Sequence, residues 1–267
     1  MIHIVKNKFI RLLNTLIIKI KIKTKDFIFG KRPFNTIFSY NYHNISHIVK
    51  FQKRIISEYF TRRYINLLDV GGGASPYYAL FIKHLDNYVV LDFANSLPKN
   101  EKRNIIQKFG TAEFIPCSNK EFEIVLCNQV LEHVNDDKQV ISEISRILKS
   151  GGFFIGSVPH ISPIHLEPHD YRRYTMFGIK KILEENGFKV IKIEGNGGIH
   201  RAMAQTLLMD WYLSKNCESQ SQKFNDTLHL ILFPINGIIN FLGIVGDFII
   251  SNKLRSPSNY CWIAVKV

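Results

Sequence analysis

The stretch Leu67–Tyr78, LLDVGGGASPYY, decides how this chain is read. An apolar run enters Asp69 and Val70, three glycines follow (Gly71 to Gly73), and Pro76 comes soon after. The pattern predicts a buried strand ending in a turn where backbone N–H groups approach a ligand and positive φ is tolerated. A dinucleotide fingerprint, Gly-x-Gly-x-x-Gly, needs a third glycine to pack helix against strand over a pyrophosphate. Gly71 and Gly73 fill the first two places, and Pro76 stands in the third. Asp69 points the same way, because a carboxylate repels a pyrophosphate and favours a cationic ligand. Behind the turn, Ser75 is expected to N-cap a helix running from Pro76 to His84.

Outward from that turn the chain repeats strand, turn and helix. Strands are predicted at 66–70, 87–93, 112–116 (AEFIP), 122–128, 153–159, 188–195 and 259–267. Helices are predicted over 136–148, 175–186 and 199–216, the second ended by Gly187. A charged segment, 98–109, has no clear pattern. Alternation of this kind implies an α/β fold with a parallel sheet covered on both faces.

Charge and hydropathy divide the chain further. Residues 1–63 hold fourteen Lys and Arg against Asp26 and Glu58, a net +12. The remaining 204 residues hold 21 basic and 20 acidic groups, a net +1. Within 4–18, Val5, Phe9, Leu12, Leu13 and Leu16 have helical spacing opposite Lys8 and Arg11, a basic amphipathic helix that suits either a membrane surface or a solvated face. No nucleic-acid module signature accompanies the charge, so nucleic acid is not an expected partner. Leu228–Ile250 carries one formal charge, Asp247, over a length that can span a bilayer. His229, Pro234, Asn236 and Asn240 are costly in hydrocarbon, which leaves an interfacial hairpin, a buried helical subdomain and a span as readings. Cys117, Cys127, Cys217 and Cys261 have no metal-type spacing, so no metal is expected and reduced thiols fit a cytoplasmic setting. The division is 1–63, a basic, largely helical extension; 64–198, a nucleotide-binding core; 199–258, an apolar helical insertion; and 259–267, a final core strand.

LLDVGGGASPYY resembles the first motif of class I S-adenosylmethionine (SAM)-dependent methyltransferases, and further stretches resemble the same family in the same order: VVLDF, GTAEFIP, FEIVLCNQVLEHV and ISRILKSGGFFIGSVP. The likeness covers about 66–195 and is of the methyltransferase type 11 kind, similar to bacterial members encoded with surface-glycan biosynthesis. It implies a Rossmann-like doubly wound sheet of seven strands, mostly parallel with the last antiparallel. It also implies SAM as cofactor. Gly71 and Gly73 would offer backbone, Asp69 would face the methionine end, and Asp92 would accept from the ribose hydroxyls. Phe93, Thr111, Ala112 and Asn128 complete the implied cofactor set. Thr111 stands where many relatives carry an acid for the adenine.

Methyl transfer gains most from alignment of acceptor, methyl and sulfur, and a hydroxyl acceptor also gains from a general base. Two loops at the carboxyl ends of strands offer candidates. NQVLEHV supplies Glu132 and His133, the first read as a structural carboxylate. PHISPIHLEPHDYRRYT is denser, and its H-x-x-P-x-D-Y-x-R-Y-T pattern resembles a stretch of many bacterial methyltransferases. His165, His169 and Asp170 are the catalytic candidates, a His–Asp pair serving as base and orienter. His160, Tyr171, Arg172 and Arg173 are the substrate-binding candidates, the arginines suiting an anionic acceptor. A structural ion pair between Asp170 and Arg173 is the competing reading. The expected function is O-methylation of a small-molecule, glycan or lipid-linked acceptor, by an enzyme that is cytoplasmic or peripheral to the inner face of the cytoplasmic membrane. Transfer to a quinone or fatty acid, and a non-catalytic scaffold, are the alternatives.

Overall fold

The computed structural model describes residues 23–24, 26–31, 33–93, 105–216, 222–250 and 255–267. The amphipathic helix expected over 4–18 lies outside them. Seven strands form one sheet: β1 (Tyr64–Val70), β2 (Leu85–Asp92), β3 (Ile105–Phe109), β4 (Phe122–Asn128), β5 (Leu148–Pro159), β6 (Phe188–Gly195) and β7 (Asn259–Lys266), in the order β3-β2-β1-β4-β5-β7-β6. β1 to β5 run parallel, and β7 enters antiparallel between β5 and β6. This is the expected Rossmann-like sheet with its last strand reversed.

The strand period of two builds the layers. Leu67, Leu126, Ile155 and Ile263 face one way and pack with Ile48, Phe51 and Ile55 of α1 (Tyr42–Tyr59). Leu68, Val125, Phe154 and Trp262 face the other way. They meet Ile144 of α3 (Asp137–Ile147) and Leu183 of α4 (Met176–Glu185). These side chains are buried, each stabilising by about 1.5–3 kcal/mol relative to exposure. Trp262 lies across Gly156, where a Cβ would stand 2.1 Å from the indole ring. Any side chain at 156 displaces that tryptophan. Asp136 and Thr175 cap their helices, accepting from the N–H groups of Gln139 and Gly178 at 3.0 Å each.

Two expectations are corrected. Ser75 does not cap a helix at Pro76. It sits at φ +53° and its N–H donates to the Gly72 carbonyl, so a turn occupies those residues. The helix, α2 (Tyr78–Phe81), begins later and tightens into a 3₁₀ turn over Ile82–His84. The third strand is not at 112–116 but at Ile105–Phe109, inside the charged segment. β3 is an edge strand with Ile106 and Phe109 exposed, so it lacks the continuous apolar run of a central strand. Residues 111–114 form a tight turn instead, with the Phe114 N–H donating to the Thr111 carbonyl at 3.3 Å.

Two long helices, α5 (Ile199–Asn216) and α6 (Gln222–Ile250), pack together between β6 and β7. Phe233–Ile250 is, among the described residues, the stretch long and apolar enough to cross a bilayer, with mean hydropathy 1.7. Its polar residues turn inward. Asn236 donates to the Phe38 carbonyl, and Asn240 to those of Ile37 and Ser39. Buried Asp247 accepts from the N–H groups of Gly198 (2.6 Å) and His200 (3.0 Å), capping α5 from a neighbouring helix. Ile238, Phe241 and Leu242 remain exposed. Where α1, α5 and β7 meet, Asn196 donates to Asn44 and Ser258 and accepts from the Ser258 and Asn259 N–H groups.

Candidate active site

The carboxyl ends of β1, β2 and β4 converge on the glycine turn. The Gly71 N–H donates to the Leu91 carbonyl at 2.8 Å, tying the turn to β2. Gly71 has φ +65°, and a Cβ there would meet Val130 Cγ2 at 2.5 Å, so backbone conformation and space both require glycine. Gly73 differs. It has φ +46°, its N–H donates to Asp92 Oδ2 at 2.9 Å, and among the described residues a Cβ there would approach only that oxygen, at 3.7 Å. The face above Gly73 is therefore open to a ligand. Asp92 also accepts from the Phe93 N–H through Oδ1 at 2.7 Å. An ionised carboxylate has about four lone-pair positions, so roughly two remain after these bonds.

Asp69 lies beneath the turn. It is buried, accepts the Tyr88 hydroxyl at 2.6 Å, and sits against Gly72, where a Cβ would come within 2.7 Å of its carboxylate. Burial raises its pKa to about 7, with the Tyr88 hydrogen bond opposing that rise. Asn128, at the end of β4, accepts the Ser157 hydroxyl at 3.1 Å, while its buried Nδ2 has no partner among the described residues. Phe93 is exposed at the end of β2. Thr111 lies in the turn after β3, and Ala112 rests partly buried on the core.

The second loop folds over the end of β4 and is braced from within. Asp170 forms a bidentate pair with Arg173 at 2.6 and 2.7 Å. Arg173 also donates to the carbonyls of Ser162, Pro163 and Arg172, which engages all of its N–H donors. Arg172 reaches back to the carbonyls of Val134 and Asn135. His160 contacts the Tyr174 carbonyl through Nδ1 at 2.8 Å. The Tyr171 N–H donates to the Glu132 carbonyl at 2.8 Å, and its exposed ring carries a hydroxyl 2.8 Å from His169 Nδ1.

His165 sits at the loop's inner side. Its Nδ1 lies 3.3 Å from both the Pro163 carbonyl and Asp170 Oδ2, and its N–H donates to the same carboxylate oxygen at 2.9 Å. A carbonyl only accepts, so Nδ1 carries the proton and Nε2 the lone pair. Burial lowers the His165 pKa, the Pro163 carbonyl and Asp170 opposing. In Asp170, the bonds from Arg173 and His165 outweigh burial and hold the carboxyl below its ordinary range.

The fold adds a grouping that the sequence does not display. Glu132, His133 and His165 come together, with one ligand-capable atom from each inside a 4.8 Å circle. Glu132 is fully buried, and burial raises its pKa to about 8. The sequence also gives no sign that Gln129, at φ +56°, donates to Ser157 and to Asn259 of β7. Gln129 thereby fastens the last strand to the rim. The sequence offers Glu132 and His133 in NQVLEHV and His165 in the next loop, and no local pattern joins them.

Residues 68–156, from β1 into β5, match the sequence family described as a methyltransferase domain. An uncharacterized methyltransferase of Bacillus subtilis, YcgJ, is 28% identical over 105 residues, which is 36% of this chain and 41% of that protein. A Mycolicibacterium smegmatis protein described as a probable S-adenosylmethionine-dependent methyltransferase is 32% identical over 89 residues, covering 31% of this chain and 35% of its own length. The chain thus spans less than two thirds of these curated relatives. Among solved structures, phosphoethanolamine N-methyltransferase 2 of Haemonchus contortus in complex with S-adenosyl-L-methionine shares the fold. Its TM-score is 0.56 at 16% identity, over 92% of this chain and 56% of that one.

Proposed function

We propose that this chain is a SAM-dependent methyltransferase acting on an oxygen of a glycan or lipid-linked acceptor beside a membrane. The observation that carries the donor assignment is the Gly71–Gly73 turn clasped to Asp92. It combines an open left-handed glycine, a carboxylate with spare lone pairs and, at the end of β4, the unpartnered Asn128 amide. These groups fit a ligand with a ribose diol and polar amino-acid end, and the match over 68–156 supports the same reading. When bound, SAM supplies an electrophilic methyl group on a sulfonium.

The chain's part is alignment and proton removal. Asp170, rigidly held by Arg173, fixes the His165 tautomer so that Nε2 can accept a proton. The lowered pKa keeps that imidazole neutral near pH 7. His169, Tyr171, His160 and Arg172 border the acceptor side, and Arg173 serves as the brace of the loop. The membrane half of the proposal rests on the exposed face of α6 and the +12 charge of residues 1–63. α5 touches the acceptor loop where the Ser162 hydroxyl meets Met209 Sδ at 3.8 Å.

Calorimetric titration of SAM tests the donor site. Wild type binds, and Gly71→Arg and Asp92→Ala lose binding; equal affinity in all three would remove the assignment. Mass spectrometry of membrane extracts incubated with labelled donor then identifies the acceptor, and label on a soluble metabolite alone would remove the membrane half.

A further inference from the structure

We propose that Glu132, His133 and His165 form a binding site for one first-row divalent transition cation at the rim of the glycine turn. Three observations converge on it. The first is the environment of Glu132. Its side chain is 0% exposed, and among the described residues no other residue donates a hydrogen bond to either carboxylate oxygen. A buried carboxylate without partners costs several kcal/mol as an ion. The neighbouring charges do not relieve it, because Asp170 and Arg173 pair with each other. A cation is what this pocket lacks.

The second observation is the state of the two imidazoles. His133 Nδ1 lies 2.6 Å from the His169 carbonyl, and His165 Nδ1 faces the Pro163 carbonyl and Asp170. Both rings are therefore protonated at Nδ1 and carry the lone pair at Nε2. A carbonyl or carboxylate behind the far nitrogen is how metal-ligating histidines are oriented and made more basic. The third is spacing. His133 Nε2 stands 3.7 Å from Glu132 Oε1, and the rings of His133 and His165 meet edge to face at 4.8 Å. Donors about 2.1 Å from one ion stand roughly 3–3.4 Å apart, so a contraction of about 1 Å closes the set.

Two imidazoles and one carboxylate select Zn²⁺, Fe²⁺, Mn²⁺ or Co²⁺ over Mg²⁺ and Ca²⁺, and three protein ligands leave coordination positions open. Val130, two residues before Glu132, packs on Gly71, which sets those positions beside the donor turn. An acceptor hydroxyl bound there releases its proton to water more readily, and its oxygen keeps the electron pair. In the loaded protein the His165 Nε2 lone pair is on the ion, so water and not His165 takes the proton of the acceptor hydroxyl.

Ion binding is measured on the full chain without donor or acceptor, so its outcome is independent of the methyl-transfer reading. Co²⁺ titration, followed by visible absorption and calorimetry, is expected to show one equivalent bound with micromolar or tighter affinity. Glu132→Gln and His165→Ala are expected to weaken it at least tenfold. His84→Ala, at the opposite end of the sheet, is expected to leave it unchanged. X-ray absorption of the wild-type Co²⁺ protein, which needs no variant, is expected to count two imidazoles. A wild-type affinity no better than millimolar, equal affinity in all variants, or a shell with fewer than two imidazoles overturns the site.

Discussion

The two sides of the candidate site are built from different materials. On the donor side the working groups are backbone and a single carboxylate: the turn at Gly71–Gly73, held to β2 by the Leu91 carbonyl and by Asp92. On the acceptor side they are side chains on a long loop, held by one another. Arg173 is clamped on Asp170 and three carbonyls, His165 on Asp170, and His133 on the His169 carbonyl. The donor side takes its rigidity from the sheet. The acceptor side has only its internal network, so it should fail cooperatively where the other side fails locally.

That contrast can be broken most directly at Asp170. Its side chain is nearly fully buried, and Asp170→Ala leaves Arg173 without its carboxylate and His165 without its orienter. We expect urea unfolding to report a loss of about 3 kcal/mol, as for other broken buried pairs, with methyl transfer abolished. SAM affinity should stay within about twofold. A large fall in donor affinity would mean that the two sides are one cooperative unit.

A pH series sharpens the donor side. Asp69 has a folded pKa of about 7, above the usual unfolded value near 3.9. As pH rises through 4 the unfolded chain releases this proton first, so the contribution is a loss of stability. That loss accumulates between about pH 4 and 7 and is on the order of 4 kcal/mol. Asp69→Asn should remove that downward contribution, so the variant gains more stability than wild type between pH 5 and pH 8, measured as unfolding free energy at the two values. His43 and His47 act in the opposite direction. Burial lowers both to about 4, so their contribution is present above pH 6.5 and is lost as pH falls toward 4.

A smaller effect is expected from Asp92→Asn, which keeps an acceptor but removes the charge behind two hydrogen bonds. Donor affinity should drop by about tenfold to a hundredfold in calorimetry, with no change in unfolding at acceptor-loop probes. The smallest effect tests the surface. Phe241→Glu with Leu242→Glu, on the exposed side of α6, should reduce cosedimentation with anionic vesicles severalfold while leaving donor binding intact.

The same contrast explains what was legible in the sequence. The donor turn is written within a few consecutive residues, and Asp92 follows at the end of the next strand, so the family resemblance could name both from local motifs. β4 was visible as an apolar run because it lies inside the sheet, and β6, at the far edge, as an alternating one. β3 was missed because an edge strand with one wet face tolerates charge, and GTAEFIP, an apolar stretch, drew the assignment instead. The acceptor rim depends on pairs remote in sequence, such as Gln129 with Asn259, 130 positions apart, and Arg172 with Val134, 38 apart. No local pattern encodes such pairs. The α6 segment shows a third case. Its asparagines and Asp247 read as penalties for hydrocarbon, and the fold resolves them by turning each toward protein.

Asp247 gives that helix a mechanical meaning. Its carboxylate grips the first N–H groups of α5 just beyond Asn196, and Asn196 clasps Ser258 and Asn259 at the start of β7. Asn259 in turn receives the Gln129 amide, next to Asn128 and Val130 at the donor mouth. The exposed helix is thus tied to the rim of the site by a continuous run of backbone and hydrogen bonds through Asp247, Asn196, Asn259 and Gln129.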